Sequence, residues 1–301
     1  MSRLLPAITA AVALAAVALT AGSAGAGAAA ERSARFPAPP ANATVYARQL
    51  RNDALALAVV PLAGKRLRVQ ASVVGPQGNG VGGVQVAVAV SAQRKLATAC
   101  GAGCYRADFG RIEHPRVVDV SLSGSRNGSW RVTLPAAWPP RPAGTLVARA
   151  GHVWRSLDSL TFREDLASAV GISVSSTWRV QRPDRVAYDV KGGWAGIVVG
   201  TKRWDRAPGS TRWEASSQSR LPQPLPAWVG VTDAHVLGET TYRGRRAVRV
   251  SFFDPQSRAW FTVTIDPRTS RTLDVWMITN AHFMHDVYRA FNSTPPIVPP
   301  A

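Results

Sequence analysis

Cysteine, histidine and methionine are scarce in this sequence of 301 residues, which has two Cys, five His and three Met. So few sulfur and imidazole groups leave little material for a structural metal site with four Cys or His ligands. The catalytic signatures G-x-S-x-G and H-E-x-x-H are absent, and no glycine run opens a helix as a phosphate cradle would. We therefore expect that the protein is not an enzyme.

Acidic residues are also few, since 18 Asp and Glu stand against 36 Lys and Arg and give a formal charge of +18. A surface of this sign attracts anionic polymers and lipids in general. However, only four of the basic residues are Lys, and the Arg residues are scattered along the chain. We expect no nucleic-acid partner.

Long apolar runs are missing beyond residue 21. The run Leu4–Ala21 follows Arg3 and precedes the small residues 28–30, which is the three-part pattern of a cleavable signal peptide. We expect cleavage near Ala30 and a periplasmic, cell-envelope or secreted protein. The alternative is that the Leu4–Ala21 segment is kept as a membrane anchor.

The two cysteines, Cys100 and Cys104, lie close together in the sequence. In an exported protein such a pair most simply forms a disulfide, which we expect here. Binding of a soft metal by the two thiolates is the alternative, although a single C-x3-C pair lacks the partners for four-coordination.

Alternating apolar residues predict strands through most of the chain, as in Leu67–Val73 and Val84–Val90. Four prolines at 135–144 interrupt this pattern, and the segment Val147–Leu160 has helical spacing. The expected organisation is a signal peptide at 1–30, a tether at 31–44, an immunoglobulin-like β-sandwich at 45–136, a linker at 137–147, a second β-rich unit at 148–292 and a Pro-rich tail at 293–301.

The second unit is expected to hold about ten strands, and a sheet of that size must curl. Eight of the ten tryptophans lie in it. Because aromatic side chains bury large apolar areas, we expect some of them to line the concave face and hold an apolar ligand. The predicted ligand-binding residues are Trp178, Trp194, Trp204, Trp213 and Trp260.

Four segments of the second unit carry a resemblance to a known fold: LDSLTF at 157–162, WRVQRPDR at 178–185, GTKRWD at 200–205 and IDPRT at 265–269. Together they resemble the LolA and LppX/LprG type of periplasmic lipid and lipoprotein carriers. This resemblance implies an unclosed antiparallel β-barrel covered by helix. The fold class expected for the whole chain is therefore mainly β.

The order of the two units is similar to the extracytoplasmic tail of copper-resistance proteins of the CopC/CopD kind, in which a YtkA-like sandwich precedes such a barrel. The segments Asn52–Val59, Cys100–Tyr105 and Ala281–His285 carry this second resemblance. This chain lacks the bundle of membrane helices of those proteins. The resemblance implies a copper-associated accessory role.

Thioether and imidazole groups near the C-terminus suit Cu(I). A copper site is therefore predicted at Met277, His282, Met284 and His285. In a strand, His282 and Met284 would share a face and His285 would point away, whereas in a helix His282 and His285 would share a face. The alternative is that Phe283 and Met284 pack in the core.

Two adjacent acidic residues, Glu164 and Asp165, stand on the first predicted strand of the second unit. In a strand they point to opposite faces, which is poor geometry for paired acid and base catalysis. This pair gives no reason to expect an enzyme.

The leading hypothesis is an exported, non-catalytic protein that captures a lipid, an acyl chain or another hydrophobic small molecule. It requires no cofactor, and an envelope membrane protein is a further expected partner. The first alternative is an envelope copper-resistance accessory protein that binds a copper ion, and the second is a structural or sensory adaptor.

Overall fold

The computed structural model describes residues 38–50, 53–75, 79–169, 172–279 and 283–300, and these form antiparallel sheets throughout. The first two sheets, ordered β1-β2-β3-β7-β6 and β5-β4-β8-β9, face each other as a sandwich. Their strands are β1 Thr44–Leu50, β2 Asp53–Leu62, β3 Arg66–Val74, β4 Val84–Val90, β5 Gln93–Leu96, β6 Thr98–Gly101, β7 Cys104–Phe109, β8 Val117–Gly124 and β9 Gly128–Thr133. Cys100 and Cys104 join β6 to β7, so the predicted disulfide is confirmed.

The third sheet, called the large sheet below, has eleven strands in the order β15-β14-β13-β12-β11-β10-β20-β19-β18-β17-β16. Its strands are β10 Ser159–Ala169, β11 Ile172–Gln181, β12 Arg185–Val190, β13 Ala195–Val199, β14 Lys202–Arg206, β15 Glu214–Ser217, β16 Thr232–Tyr242, β17 Arg245–Asp254, β18 Ala259–Ile265, β19 Thr272–Ile278 and β20 Phe283–Arg289. The strands β15 and β16 are its two edges and do not pair with each other. The predicted mainly β fold with an unclosed antiparallel sheet is therefore confirmed.

One α-helix, α1, spans Gly144–Arg155 in the described part of the chain. The prediction of a helix over Val147–Leu160 was wrong at its C-terminal end, because Leu160 lies in β10. Val147, Ala150 and Trp154 pack against the large sheet. Leu157 and Leu160 are buried in the same cluster, which explains why their spacing resembled a helical pattern.

The strand β2 is buried on both faces, and this joins the sandwich to the large sheet. Leu55, Leu57 and Val59 point into the sandwich core. The small side chains between them belong to a separate cluster with Trp260 and other residues of the large sheet. Because strand side chains alternate between faces, the run of Ala and Leu in β2 serves two cores at once.

The side of the large sheet that contacts the sandwich is called the reverse face below, and the opposite side, which packs against α1, is called the concave face. Phe261 and Val263 lie on the concave face, whereas Trp260 lies on the reverse face. The sandwich therefore covers the reverse face at β17 and β18, and α1 covers part of the concave face.

Candidate functional site

A cavity of about 250 Å³ lies on the concave face of the large sheet. Most of the side chains around it are apolar or aromatic, which is typical of a ligand-binding cavity. The lining residues from the strands are Phe162, Glu164, Leu166, Trp178, Val180, Val186, Tyr188, Val198, Met277, Met284, Asp286 and Tyr288. The others come from α1 and from the connection between β15 and β16.

The connection between β15 and β16, residues 218–231, links the two edges of the large sheet, and we call it the covering loop. Leu221 and residues 223–227 of this loop line the cavity. The indole Nε1 of Trp154 donates a hydrogen bond to the carbonyl oxygen of Leu225 at 2.6 Å. The backbone N–H of Gln223 donates to the carbonyl oxygen of Pro183 at 2.8 Å. These bonds attach the covering loop to the helix on one side and to the β11–β12 turn on the other.

Aromatic rings form one wall of the cavity. Phe162 and Trp178 are direct cross-strand partners on β10 and β11, and their rings stack at 5.9 Å. The Trp178 ring also lies 5.0 Å from that of Tyr188. Tyr288 contacts Trp154 edge to face at 4.7 Å. This wall offers both apolar area and the electron-rich ring faces that attract cations.

Two carboxyl groups stand side by side in this apolar surrounding. Glu164 on β10 pairs directly with Asp286 on β20, so their side chains share the concave face. We call these two residues the acidic pair. Ser176 Oγ and Trp178 Nε1 donate to Glu164 Oε2 at 3.1 and 3.0 Å. Among the described residues that line the cavity, none is Lys, Arg or His, so no basic side chain there balances the pair.

Asp286 is 4% exposed, and its two oxygens differ in their surroundings. The hydroxyl of Tyr288 donates to Oδ2 at 2.6 Å. The other oxygen, Oδ1, is buried and has no hydrogen-bond partner among the described residues. An unsatisfied buried carboxylate oxygen is costly, and in native structures such a group requires an explanation.

The pKa of each member of the acidic pair is raised, chiefly because burial disfavours the charged form. For Asp286 the neighbouring carboxyl of Glu164 raises the pKa further. The hydrogen bonds that Ser176 and Trp178 donate oppose the rise in the pKa of Glu164. Because the charge of one carboxyl group acts on the other, the two groups titrate as a pair and not independently.

A second polar group of the cavity, Tyr188, belongs to a hydrogen-bonded cluster with its own charge balance. Its hydroxyl donates to Asp205 Oδ1 at 3.1 Å, and the Arg203 guanidinium binds the same carboxylate at 2.6 and 2.8 Å. Burial and the carboxylate of Asp205 raise the pKa of Tyr188 to about 12. The Tyr188 ring lies over Gly196, where a Cβ atom would overlap the ring.

Of the five tryptophans predicted to bind ligand, Trp178 lines the cavity. Trp204 pairs with Ile197, whose neighbour Val198 is the residue that faces the cavity, so Trp204 lies on the other face. Trp194 precedes β13, and Trp213 lies under the guanidinium of Arg206 at 5.0 Å. Neither residue lines the cavity.

Trp260, which was predicted to bind ligand, does not line the cavity. This side chain is completely buried on the reverse face, among residues of β1 and β2. Strand alternation puts Phe261, and not Trp260, on the concave face. The alternation of β18 is visible in its sequence, but which of its two faces is concave depends on the tertiary structure.

The three described members of the predicted copper set, Met277, Met284 and His285, do not share one face of the large sheet. Met277 and Met284 pair across β19 and β20 and line the cavity. His285 lies on the reverse face, where it stacks on Trp276 at 3.9 Å and its Nε2 is 2.7 Å from Asp274 Oδ2. His282 lies outside the described residues. Within the described ranges no group of three or more His, Cys, Asp and Glu residues could hold a metal ion.

Asp286 and Tyr288 are cavity residues that sequence reasoning missed, because β20 itself was not predicted. Its sequence, Phe283–Arg289, mixes His, Asp and Arg with apolar residues, so a regular alternation of apolar and polar residues is not evident in it. In the sequence, the acidic residue nearest to Glu164 is Asp165, but Asp165 is not its partner in the structure. Asp165 lies on the reverse face with His285, whereas Glu164 pairs with Asp286, which is far away in the sequence.

The predicted signal peptide lies outside the described residues. No helix in the described ranges combines the length and the apolarity needed to cross a membrane.

Sequence comparison finds no matching protein family and no similar curated protein. Several solved structures align with about half of the chain. The lipoprotein LppX of Mycobacterium tuberculosis is 14% identical, with 51% of this chain and 97% of that chain covered and a TM-score of 0.41. LprF of Mycobacterium bovis is 11% identical, with 54% and 99% covered and a TM-score of 0.41. A LolA superfamily protein of Nitrosomonas europaea is 10% identical, with 50% and 92% covered and a TM-score of 0.23.

Proposed function

We propose that this protein is a non-catalytic binding protein that holds a hydrophobic small molecule, such as a single short acyl chain, in the cavity of the large sheet. The observation that carries the proposal is the cavity itself, with its apolar and aromatic lining and a volume of about 250 Å³. Ligand cavities commonly measure roughly 300–1,000 Å³, so this one suits a small guest rather than a lipid with several chains.

The residues around the cavity support a binding role over catalysis. No Ser, Thr, Cys, His or Lys stands among the described side chains that line it, so the usual nucleophiles and nitrogen bases are missing there. Ser176 is hydrogen bonded to Glu164 but does not itself line the cavity. The acidic pair is therefore the main reactive chemistry available, and no Ser, Thr or Cys among the described lining residues stands beside it as a nucleophile.

Export is part of the proposal, and two features support it. Residues 1–30 carry the sequence pattern of a signal peptide. The disulfide between Cys100 and Cys104 suits an oxidising compartment. The protein would therefore meet its ligand in the cell envelope or outside the cell.

A dye-binding experiment tests the proposal. We expect the neutral apolar dye N-phenyl-1-naphthylamine to bind with increased fluorescence, and native mass spectrometry to detect a small apolar guest after gentle purification. Ala227→Phe adds a ring where the covering loop lines the cavity and should weaken dye binding about tenfold or more, since the guest would lose buried area.

Ala215→Phe is the matched control, because Ala215 is exposed on β15 and outside the cavity. It should leave dye binding unchanged. Equal binding by wild type, Ala227→Phe and Ala215→Phe would show that the dye does not enter the cavity and would refute the proposed function.

A further inference from the structure

The acidic pair is unusual for a cavity that binds only hydrocarbon. Glu164 and Asp286 add two carboxyl groups to an otherwise largely apolar lining, and no basic side chain among the described lining residues neutralises them. Burying a carboxyl group without a partner costs free energy that an apolar residue at the same position would not cost. A ligand that supplies the missing partner would recover that cost on binding.

The unpartnered oxygen of Asp286 tells which kind of group is missing. Oδ1 is a hydrogen-bond acceptor, nearly free of solvent and without a donor among the described residues. Glu164 already accepts from Ser176 and Trp178 through one oxygen, Oε2. The pair therefore calls for a donor, and preferably a positively charged one, because a cation stabilises the ionised form of both carboxyl groups whereas an anion opposes it.

The aromatic wall adds a second attraction of the same sign. Trp178 and Tyr288 flank the acidic pair through their hydrogen bonds to it, and both rings line the cavity. Ring faces attract cations, and the attraction grows when the cation is desolvated. An ammonium group has three N–H donors and no acceptor, which matches a site made of carboxyl oxygens and rings.

Building on the proposed function, we infer that the ligand of the cavity is an amphiphile with a protonated amine at its polar end. The amine lies against Glu164 and Asp286, and the apolar part lies among Phe162, Leu166 and the two methionines. Charge complementarity of this kind favours amines over alcohols and disfavours fatty acids of the same chain length.

The titratable and charged groups near the pair come from several strands. On the concave face these are Tyr288 of β20 and Tyr188 of β12, and on the reverse face they are Asp165 of β10, Asp274 of β19 and His285 of β20. His285 is hydrogen bonded to Asp274, and Arg163 is paired with Asp165 at 2.7 Å. The reverse-face acids therefore have partners of their own, unlike Oδ1 of Asp286.

Isothermal titration calorimetry at pH 7 with octylamine, 1-octanol and octanoate tests the inference. These probes share one chain and differ in the polar end, which is cationic, neutral and anionic at this pH. We expect octylamine to bind about tenfold or more tightly than octanol, and octanoate to bind most weakly. Asp286→Asn and Glu164→Gln should each lower octylamine affinity about tenfold and octanol affinity by much less, because the hydroxyl of octanol carries no charge.

Asp165→Asn is the control, since it makes the same chemical change on the other face of the same strand. It should leave all three affinities unchanged. Octanol binding by each variant shows that the cavity is still formed, and Glu164→Gln provides the same test if Asp286→Asn does not fold.

The outcomes separate the two proposals. If the wild type binds octanol as tightly as octylamine, or if both variants keep the preference for octylamine, the amine is not recognised by the acidic pair and this inference falls while the proposed function stands. If none of the three probes binds to the wild type, both fall.

Discussion

The buried contact between the sandwich and the large sheet depends on Trp260, and we predict that Trp260→Ala destabilises the whole protein. The side chain is fully buried among residues of β1, β2 and the large sheet. A buried Trp removes about 150–250 Å² from water, which at about 25 cal/mol per Å² corresponds to about 4–6 kcal/mol. An alanine side chain would retain a small part of this burial free energy. Measured losses of stability for Trp→Ala substitutions in protein cores are about 3–5 kcal/mol.

We expect a loss of about 4 kcal/mol, which is a large fraction of the roughly 5–15 kcal/mol that stabilises a typical folded protein. Urea unfolding followed by circular dichroism measures it. The midpoint should fall, with the slope unchanged if unfolding stays two-state.

Trp276 offers a matched control. It lies on the same face of the neighbouring strand, as the register Thr262↔Trp276 and Trp260↔Ile278 shows, but it is partly exposed and stacks on His285. Trp276→Ala should cost about half as much or less, because less of its area is buried. Equal losses for the two variants would refute the reasoning, since the contact with the sandwich would then contribute nothing.

Two further predictions concern buried acids. Burial and the carboxyl group of Glu164 raise the pKa of Asp286. The contribution of Asp286 to stability is therefore greatest below the ordinary Asp pKa of about 3.9, and it is lost as pH rises through the raised pKa. Asp286→Asn should therefore be more stable than wild type at pH 7 in thermal melts, with the difference shrinking toward pH 4; a constant difference would contradict this. Asp254 is fully buried and accepts from three backbone amides, whereas Asp266 accepts from two in a similar turn. Asp254→Ala should cost about 2–4 kcal/mol in urea unfolding and Asp266→Ala about 1 kcal/mol, and the reverse order would contradict the argument.

The strands of the large sheet were largely predictable because their signal is local. The alternation in Phe261, Val263 and Ile265, and the two Asp-Pro turns before and after it, mark strands and their connections without reference to the rest of the chain. β20 was not predicted as a strand, because three of its seven residues are the polar residues His, Asp and Arg. A strand between two others in the middle of a sheet is expected to be apolar, and this one carries a carboxyl group into a cavity instead.

The sequence predicted that the large sheet has a concave face, but it did not predict which residues line the cavity there. Tryptophan content indicated that aromatic side chains would be buried, yet both faces of the large sheet are covered, one by α1 and the covering loop and the other by the sandwich. Period-two alternation says which residues share a face, and it does not say which face is concave.

The sequence by itself determined the mainly β class, the disulfide and most of the strand positions, because propensity, alternation and turn chemistry act over a few residues. The tertiary structure alone decided that Trp260 belongs to the contact with the sandwich and that Glu164 meets Asp286. Those choices depend on pairing between β10 and β20, whose sequences lie more than a hundred residues apart, and no local pattern records such a pairing.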